Sequence, residues 1–366
     1  MATFVHTADI HLDTPFSAHF TAEQAKLRRK EVMQTFQRIC EDAKTADFFL
    51  ISGDLFDSRF VSPETVAFLK RCFAGMPDTR VFISAGNHDP LRSDSVYLTE
   101  SWGENVHIFS AEMEYVDIPE LRTRVHGRSF SAHHCEETLL HSLELAEEWC
   151  NLLVLHGDLV ATGGESNYNP LEKQMLERSG VDYAVLGHVH QYSGLQRLGT
   201  MYYAYPGIPE GRGFDEEGEK GYLTGAVEKG SVRAEWKRAC KREFVRREVD
   251  VSNCSDSLQV LEEVEAVIEE SGAENIYRIM LTGSAEPSLV QTEVLCEQLK
   301  GKAFSLELKN QTGPAYQMED LAEEPSLRGA FVTAMLEEIK KLPEEEKEMG
   351  QLALKLGLGA MERGTL

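Results

Sequence analysis

Long apolar runs are missing from this chain: no stretch approaches the roughly 18 consecutive apolar residues that cross a bilayer as a helix. That excludes a helical membrane protein. Missing too is a basic segment followed by an apolar one near the start. FVHTADIHL (4–12) is interrupted by His6 and Asp9, so a secretory signal is not expected. Cysteine is sparse and unpatterned, with seven residues at positions 40, 72, 135, 150, 240, 254 and 296 and no CxxC pair. An odd, scattered set predicts reduced thiols and a cytoplasmic location. Positive charge is also in deficit: 37 Lys and Arg against 61 Asp and Glu leave a net charge of −24. Proteins that hold nucleic acid usually present a basic face. Part of this acidity is local, because residues 261–274 and 317–348 are rich in Glu. Two basic stretches remain, KLRRK (26–30) and KRACKREFVRR (237–247), and both read as solvated faces of a helix and a strand. Net charge therefore neither supports nor excludes DNA.

What is present is an ordinary soluble composition, 42% apolar and 27% charged, over 366 residues, with room for more than one domain. Apolar and β-branched runs predict strands at 3–8, 47–52, 80–85, 151–156, 182–186 and 201–205. A helix is expected near 22–45, where Val32, Phe36, Ile39, Cys40 and Ala43 share one face. Another is expected near 63–74, opened by Ser62 and Pro63 as N-cap and first helical residue. Such alternation predicts a layered α/β fold. After about 244 the pattern restarts as strand (242–251), helix (256–270), strand (276–283), helix (287–300) and strand (303–310). Residues 313–366 then read as helical, with Leu327, Phe331, Met335, Ile339 and Leu342 at helical spacing. Three domains are expected: 1–240, a small α/β unit at 241–312, and a helical tail at 313–366.

Five motifs in the first part carry metal-ligand chemistry, each straight after an apolar run. They are ADIH (Asp9, His11), GDLFD (Asp54, Asp57), GNHD (Asn87, His88, Asp89), LHGD (His156) and GHVH (His188, His190); YPG (205–207) follows and reads as structural. Strands that end in Asp, Asn and His bring hard and borderline ligands to one sheet edge, where two metal ions can share a site. His6, His19, His107, His126, His133, His134 and His141 read as ordinary core or surface histidines. Arg212 and Asp57 are candidates for substrate contact. The long polar loop 157–169 is placed to touch substrate.

This order of motifs is similar to that of the calcineurin-like metallophosphoesterases, over roughly residues 1–225. The wording HTADIHL, ISGDLFD, GNHDP, LHGD, LGHVH and YPG resembles their DNA-repair exonuclease branch, the SbcD type. The resemblance implies a metallophosphoesterase β-sandwich flanked by helices, with the small α/β unit as a cap. It implies one metal held by Asp9, His11, Asp54 and His190, and a second held by Asp54, Asn87, His156 and His188. His88 would then lie beside the scissile phosphate, with Asp89 orienting its ring. Some relatives place His where Asp57 stands, so Asp57 cannot serve here as a cation. Two manganese ions are the implied cofactors, although iron, zinc or nickel suits the same ligands. The implied activity is a 3′ to 5′ DNA exonuclease, with endonuclease activity as an addition. DNA, an SMC-like coiled-coil ATPase docked on the tail, and a second copy of the chain are the implied partners. The alternative is a small-molecule or cyclic-nucleotide phosphodiesterase. A scaffold with an inert site is disfavoured, because every ligand position is filled.

Overall fold

The computed structural model describes residues 1–18, 20–58, 60–314 and 318–363; His19 and parts of the tail lie outside the described residues. Two compact units divide the chain, Met1–Phe244 and Val245–Leu366.

The first unit opens with β1 (Ala2–Thr7), α1 (Ala22–Ala43), β2 (Phe48–Ser52), α2 (Pro63–Ala74) and β3 (Arg80–Ser84). Thr21 caps α1 in a reciprocal pair with Gln24, and Ser62 caps α2 ahead of Pro63. Next come the short α3 (Val96–Thr99), β4 (Val106–Ile108), β5 (Glu114–Ile118), β6 (Thr123–Gly127) and β7 (Cys150–His156). The rest is β8 (Leu159–Val160), β9 (Leu171–Glu172), α4 (Lys173–Arg178), β10 (Tyr183–Gly187), β11 (Gln196–Leu198), β12 (Met201–Ala204), β13 (Gly221–Glu228) and β14 (Ser231–Arg238). The expected alternation holds only as far as β3. Beyond it, strands are joined mainly by hairpins and irregular polar segments such as 128–149, which carry too little apolar periodicity for a covering helix. The β13–β14 hairpin was not expected either.

Two six-stranded sheets result, in the orders β14-β13-β1-β2-β3-β4 and β11-β12-β10-β7-β6-β5. In the first, β1 to β4 run parallel; in the second, β12, β10, β7 and β6 do. The sheets face one another across a core that includes Phe4, Phe48, Leu50 and Phe82 from one and Leu152, Val154, Tyr183 and Val185 from the other. The opposite face of the first sheet packs Val5, Phe49, Ile51 and Ile83 against Val32, Phe36 and Ile39 of α1 and Phe68, Leu69 and Phe73 of α2. Central strands are thus covered on both sides, which is why FFLIS in β2 is buried at every position. His6 spans the gap between sheets: Nδ1 lies 2.9 Å from the Tyr183 hydroxyl, and Nε2 3.0 Å from Ser52 Oγ.

The two basic stretches are not open faces. Arg28 is completely buried, 2.8 Å from both Glu31 Oε2 and Glu210 Oε2. Arg242 and Lys241 also meet Glu31, while Lys237 pairs with Asp42 and Arg238 with Glu243. Much of the charge in both stretches is therefore spent on internal ion pairs.

In the second unit, β15 (Phe244–Asp250), α5 (Ser257–Ser271), β16 (Ile276–Thr282), the short β17 (Ser284–Ala285), α6 (Thr292–Gln298), β18 (Ser305–Asn310) and β19 (Gly313–Pro314) succeed one another. A three-stranded sheet, β15-β16-β18, carries its own core of Val260, Val264, Ile268, Tyr277, Ile279 and Leu281. Then α7 (Met318–Ala322), α8 (Leu327–Lys341) and α9 (Glu344–Arg363) bury Val332, Ile339, Leu354 and Leu358 together. The expected stripe is corrected at its first member: Leu327 begins α8 and is 79% exposed. No helix among the described residues is long and apolar enough to cross a membrane.

Candidate metal centre

All five motifs sit where a strand ends. β1, β2 and β3 are parallel neighbours in one sheet, and β7 and β10 are parallel neighbours in the other, so their carboxyl ends can share one edge. The loops after β1 and β2 are laced together: Asp9 N donates to the Gly53 carbonyl, His11 N to that of Asp54, and Leu12 N to that of Leu55, all at about 3 Å. Asp9, His11 and Asp54 take positive φ angles of 53°, 51° and 50°, and His188 one of 105°. Such backbone is strained for residues with a Cβ and marks sites held in place by their surroundings. Gly53 must be glycine, since a Cβ there would overlap the His156 ring.

Asp54 stands between two groups of donors. Its Oδ1 accepts from the His88 backbone N at 2.9 Å, and its Oδ2 lies 3.4 Å from His156 Nε2 and 3.9 Å from His11 Nε2. On one side are Asp9, His11 and His190; His190 Nε2 is 3.8 Å from Asp9 Oδ1 and 3.4 Å from His11 Nε2. On the other are His156 and His188, with Asn87 Oδ1 2.9 Å from His156 Nε2 and 3.2 Å from His188 Nδ1. The seven residues expected as metal ligands are therefore brought together. Burial would raise the Asp54 carboxyl, but His156, His11 and His88 hold it well below the usual carboxylate range. Burial would lower His156, yet the Asp54 charge beside it pushes its pKa up to about 9.

The donor set and its gaps fit metal ions. His11 is completely buried and its Nδ1 has no hydrogen-bond partner, since Asp57 Oδ1, at 3.4 Å, is too distant for one. Two imidazole nitrogens facing each other at 3.4 Å, as in His11 and His190, are arranged to share a cation. Each outer histidine is steered from behind. His156 Nδ1 donates to the Ser52 carbonyl at 2.9 Å, and His190 Nδ1 lies 2.5 Å from Glu216 Oε1, so Nε2 of each is turned to the centre.

Asp89 corrects an expectation. Its carboxylate accepts from Gly86 N (2.7 Å), Phe56 N (3.1 Å) and the Tyr97 hydroxyl (2.7 Å), so it fastens loops rather than orienting His88. Burial and the Asp54 charge push its pKa up to about 6. The His88 ring is set instead by the Asp57 carbonyl, which accepts from Nδ1 at 3.0 Å. Arg212 and Asp57 both reach the site but engage each other at 3.0 Å, and Arg212 also faces Glu216. The 157–169 loop packs against the centre: Asp158 Oδ1 is 3.4 Å from His188 Nε2, and the Tyr168 ring lies 4.8 Å from that of His188. Tyr205 of YPG donates its hydroxyl to the Gly157 carbonyl and braces that loop. Glu216 and Asp158 were missed as site residues, although both lie within segments already singled out. No sequence signal separates them from neighbouring acidic residues.

A two-sheet sandwich that gathers carboxylates, histidines and an asparagine at shared strand ends is that of a metal-dependent phosphoester hydrolase. The chain belongs to the calcineurin-like phosphoesterase family, whose profile matches residues 2–192. Members of the family bind two divalent metal ions. Among relatives, the uncharacterized metallophosphoesterase YhaO of Bacillus subtilis is 31% identical over 305 residues, covering 79% of this chain and 74% of YhaO. The DNA double-strand break repair protein Mre11 of Methanopyrus kandleri is 25% identical over 269 residues, covering 64% of this chain and 57% of Mre11. The chain thus matches little more than half the length of that Mre11. The crystal structure of TT1561 of Thermus thermophilus aligns with a TM-score of 0.38 at 12% identity, covering 64% of this chain and 98% of that one.

Proposed function

We propose that the chain is a two-metal phosphodiesterase acting on DNA, as a 3′ to 5′ exonuclease with endonuclease activity. The observation that supports this most is the position of Asp54 Oδ2 between the two donor groups, with His88 fixed at their margin. In this reading Asp9, His11, Asp54 and His190 hold one ion, and Asp54, Asn87, His156 and His188 the other. Bound ions of this kind acidify a water and neutralise charge on the phosphate. The chain's own residues do the rest. His88, its Nδ1 committed to the Asp57 carbonyl, offers Nε2 to the phosphate oxygens or to the leaving oxygen. Asp89 keeps the GNHD loop seated on the loop after β2. The relatedness to Mre11 favours DNA over a small diester as substrate. Manganese is the proposed metal.

Partners proposed with it are an SMC-like coiled-coil ATPase and a second copy of the chain, working in the cytoplasm. Support for a docked partner comes from Leu327, Met349, Leu352 and Leu356, all exposed on α8 and α9. Incubation of the purified chain with manganese and linear DNA tests the reading. Degradation that is lost, by about a hundred-fold or more, in Asp54→Ala and His88→Ala variants of unchanged circular dichroism is expected. Hydrolysis of bis(p-nitrophenyl) phosphate with none of DNA, with or without an ATPase partner, would assign the chain to small diesters instead.

A further inference from the structure

Beside Asn87 stands a histidine outside the motif series. His133 lies in the segment after β6, and its Nδ1 is 2.7 Å from the Asn87 carbonyl oxygen. A carbonyl only accepts, so Nδ1 carries the proton and donates. Nε2 is then the ring nitrogen turned away from Asn87, on a residue that is exposed. His88 is held in the same manner by the Asp57 carbonyl. Two imidazoles thus adjoin Asn87, each anchored through Nδ1 by a backbone oxygen.

The segment bearing His133 is not a loose rim. Phe130 N donates to the Ala85 carbonyl at 3.0 Å, and Leu91 N to that of Phe130 at 2.8 Å. Cys135 N donates to the Asn167 carbonyl at 2.8 Å, and Asn169 N to that of Cys135 at 2.7 Å. Residues 130–135 are therefore stitched on one side to the loop after β3 and on the other to the loop after β7. Both of those loops carry residues of the centre. An exposed side chain placed this firmly loses little further freedom on meeting a ligand.

We propose that His133 contacts the substrate, giving a hydrogen bond from Nε2 to a phosphate other than the one being hydrolysed. The inference rests on the DNA phosphodiesterase reading and names a subsite within it. The Asn87 side chain points to His156 and His188, whereas His133 takes the main-chain side of the same residue and directs Nε2 outward. A diester with a single phosphate fills the side-chain side alone; a strand carries further phosphates past the rim. An adjacent phosphate favours the doubly protonated ring that can donate from Nε2. Contacts of this kind fix register along a strand without reading bases.

Steady-state kinetics with manganese on two substrates, bis(p-nitrophenyl) phosphate and a short single-stranded oligothymidylate, tests the subsite. For His133→Ala, the ratio of kcat/KM on the oligonucleotide to that on the diester is expected to fall about ten-fold, mainly through KM. His133→Arg, which restores a donor and a charge, is expected to recover most of the ratio. An unchanged ratio in His133→Ala, or parallel loss on both substrates, overturns the inference and leaves the phosphodiesterase reading standing. A wild-type chain that cleaves the diester but no oligonucleotide overturns the DNA reading and the subsite with it.

Discussion

Glu216 Oε1 lies 2.5 Å from His190 Nδ1, and a buried carboxylate thereby fixes which nitrogen of that histidine faces the centre. Burial would raise Glu216, but His190 and Arg212 bring its pKa down to about 2. The pair is the carboxylate–histidine arrangement that orients a metal-binding ring.

Replacing Glu216 by Gln keeps the shape but removes the charge. Manganese affinity, measured by isothermal titration calorimetry, is expected to weaken about 10- to 100-fold. Asp215→Asn, one residue away and exposed, serves as the comparison. Equal affinities in the two variants would reduce Glu216 to a packing residue.

Glu210 is the hub of a buried ion network. Its Oε2 meets Arg28, and its Oε1 accepts from Thr35 Oγ1 and Lys241 N, at 2.7 and 2.8 Å. Glu210→Ala leaves the fully buried Arg28 short of one counter-charge, so urea denaturation is expected to show a loss of about 3 kcal/mol or more. Glu41→Ala, which removes an exposed pair with Lys44, is expected to cost less than about 1 kcal/mol. Similar losses in both would contradict the network's role.

His6 makes stability depend on pH. Burial lowers its pKa from 6.5 to about 3, against a weaker pull from the Leu186 carbonyl. The unfolded chain therefore takes up this proton first. Stability is unaffected above about 6.5 and falls as the pH drops from there towards about 3, by up to about 1.4 kcal/mol for each unit from this residue. His6→Gln is expected to be less stable at neutral pH yet to show a shallower acid slope. Identical slopes in the two proteins would rule His6 out as the source.

The strand ends were legible because so few residue types can bind metal, and because strands covered on both faces read as unbroken apolar runs such as FFLIS. The first two helices were equally plain from their caps. What escaped depended on distant contacts. Nothing local in GNHD says that Asp89 will be claimed by Phe56, Gly86 and Tyr97, or that the Asp57 carbonyl will take the His88 ring. Arg28, inside a run of four charged residues within five, looked solvated because its partners stand near position 210 and at Glu31. The β13–β14 hairpin was hidden by its mixed polarity, since β14 alternates between partly buried and exposed residues at a sheet edge.

The proposed ligands are divided between the sheets: Asp9, His11, Asp54 and Asn87 follow strands of one, while His156, His188 and His190 follow strands of the other. Ions seated among them act as a clamp across the sandwich. Separating the sheets would mean giving up the metal, so loading and cohesion are one equilibrium. At a hundred times the dissociation constant, manganese is expected to stabilise the first unit by about 2.7 kcal/mol, read as a rise in its melting temperature that a chelator reverses. A melting temperature indifferent to manganese would show that the sandwich closes without help. Otherwise the same ions that prepare a phosphate for attack also decide how long the sandwich stays shut.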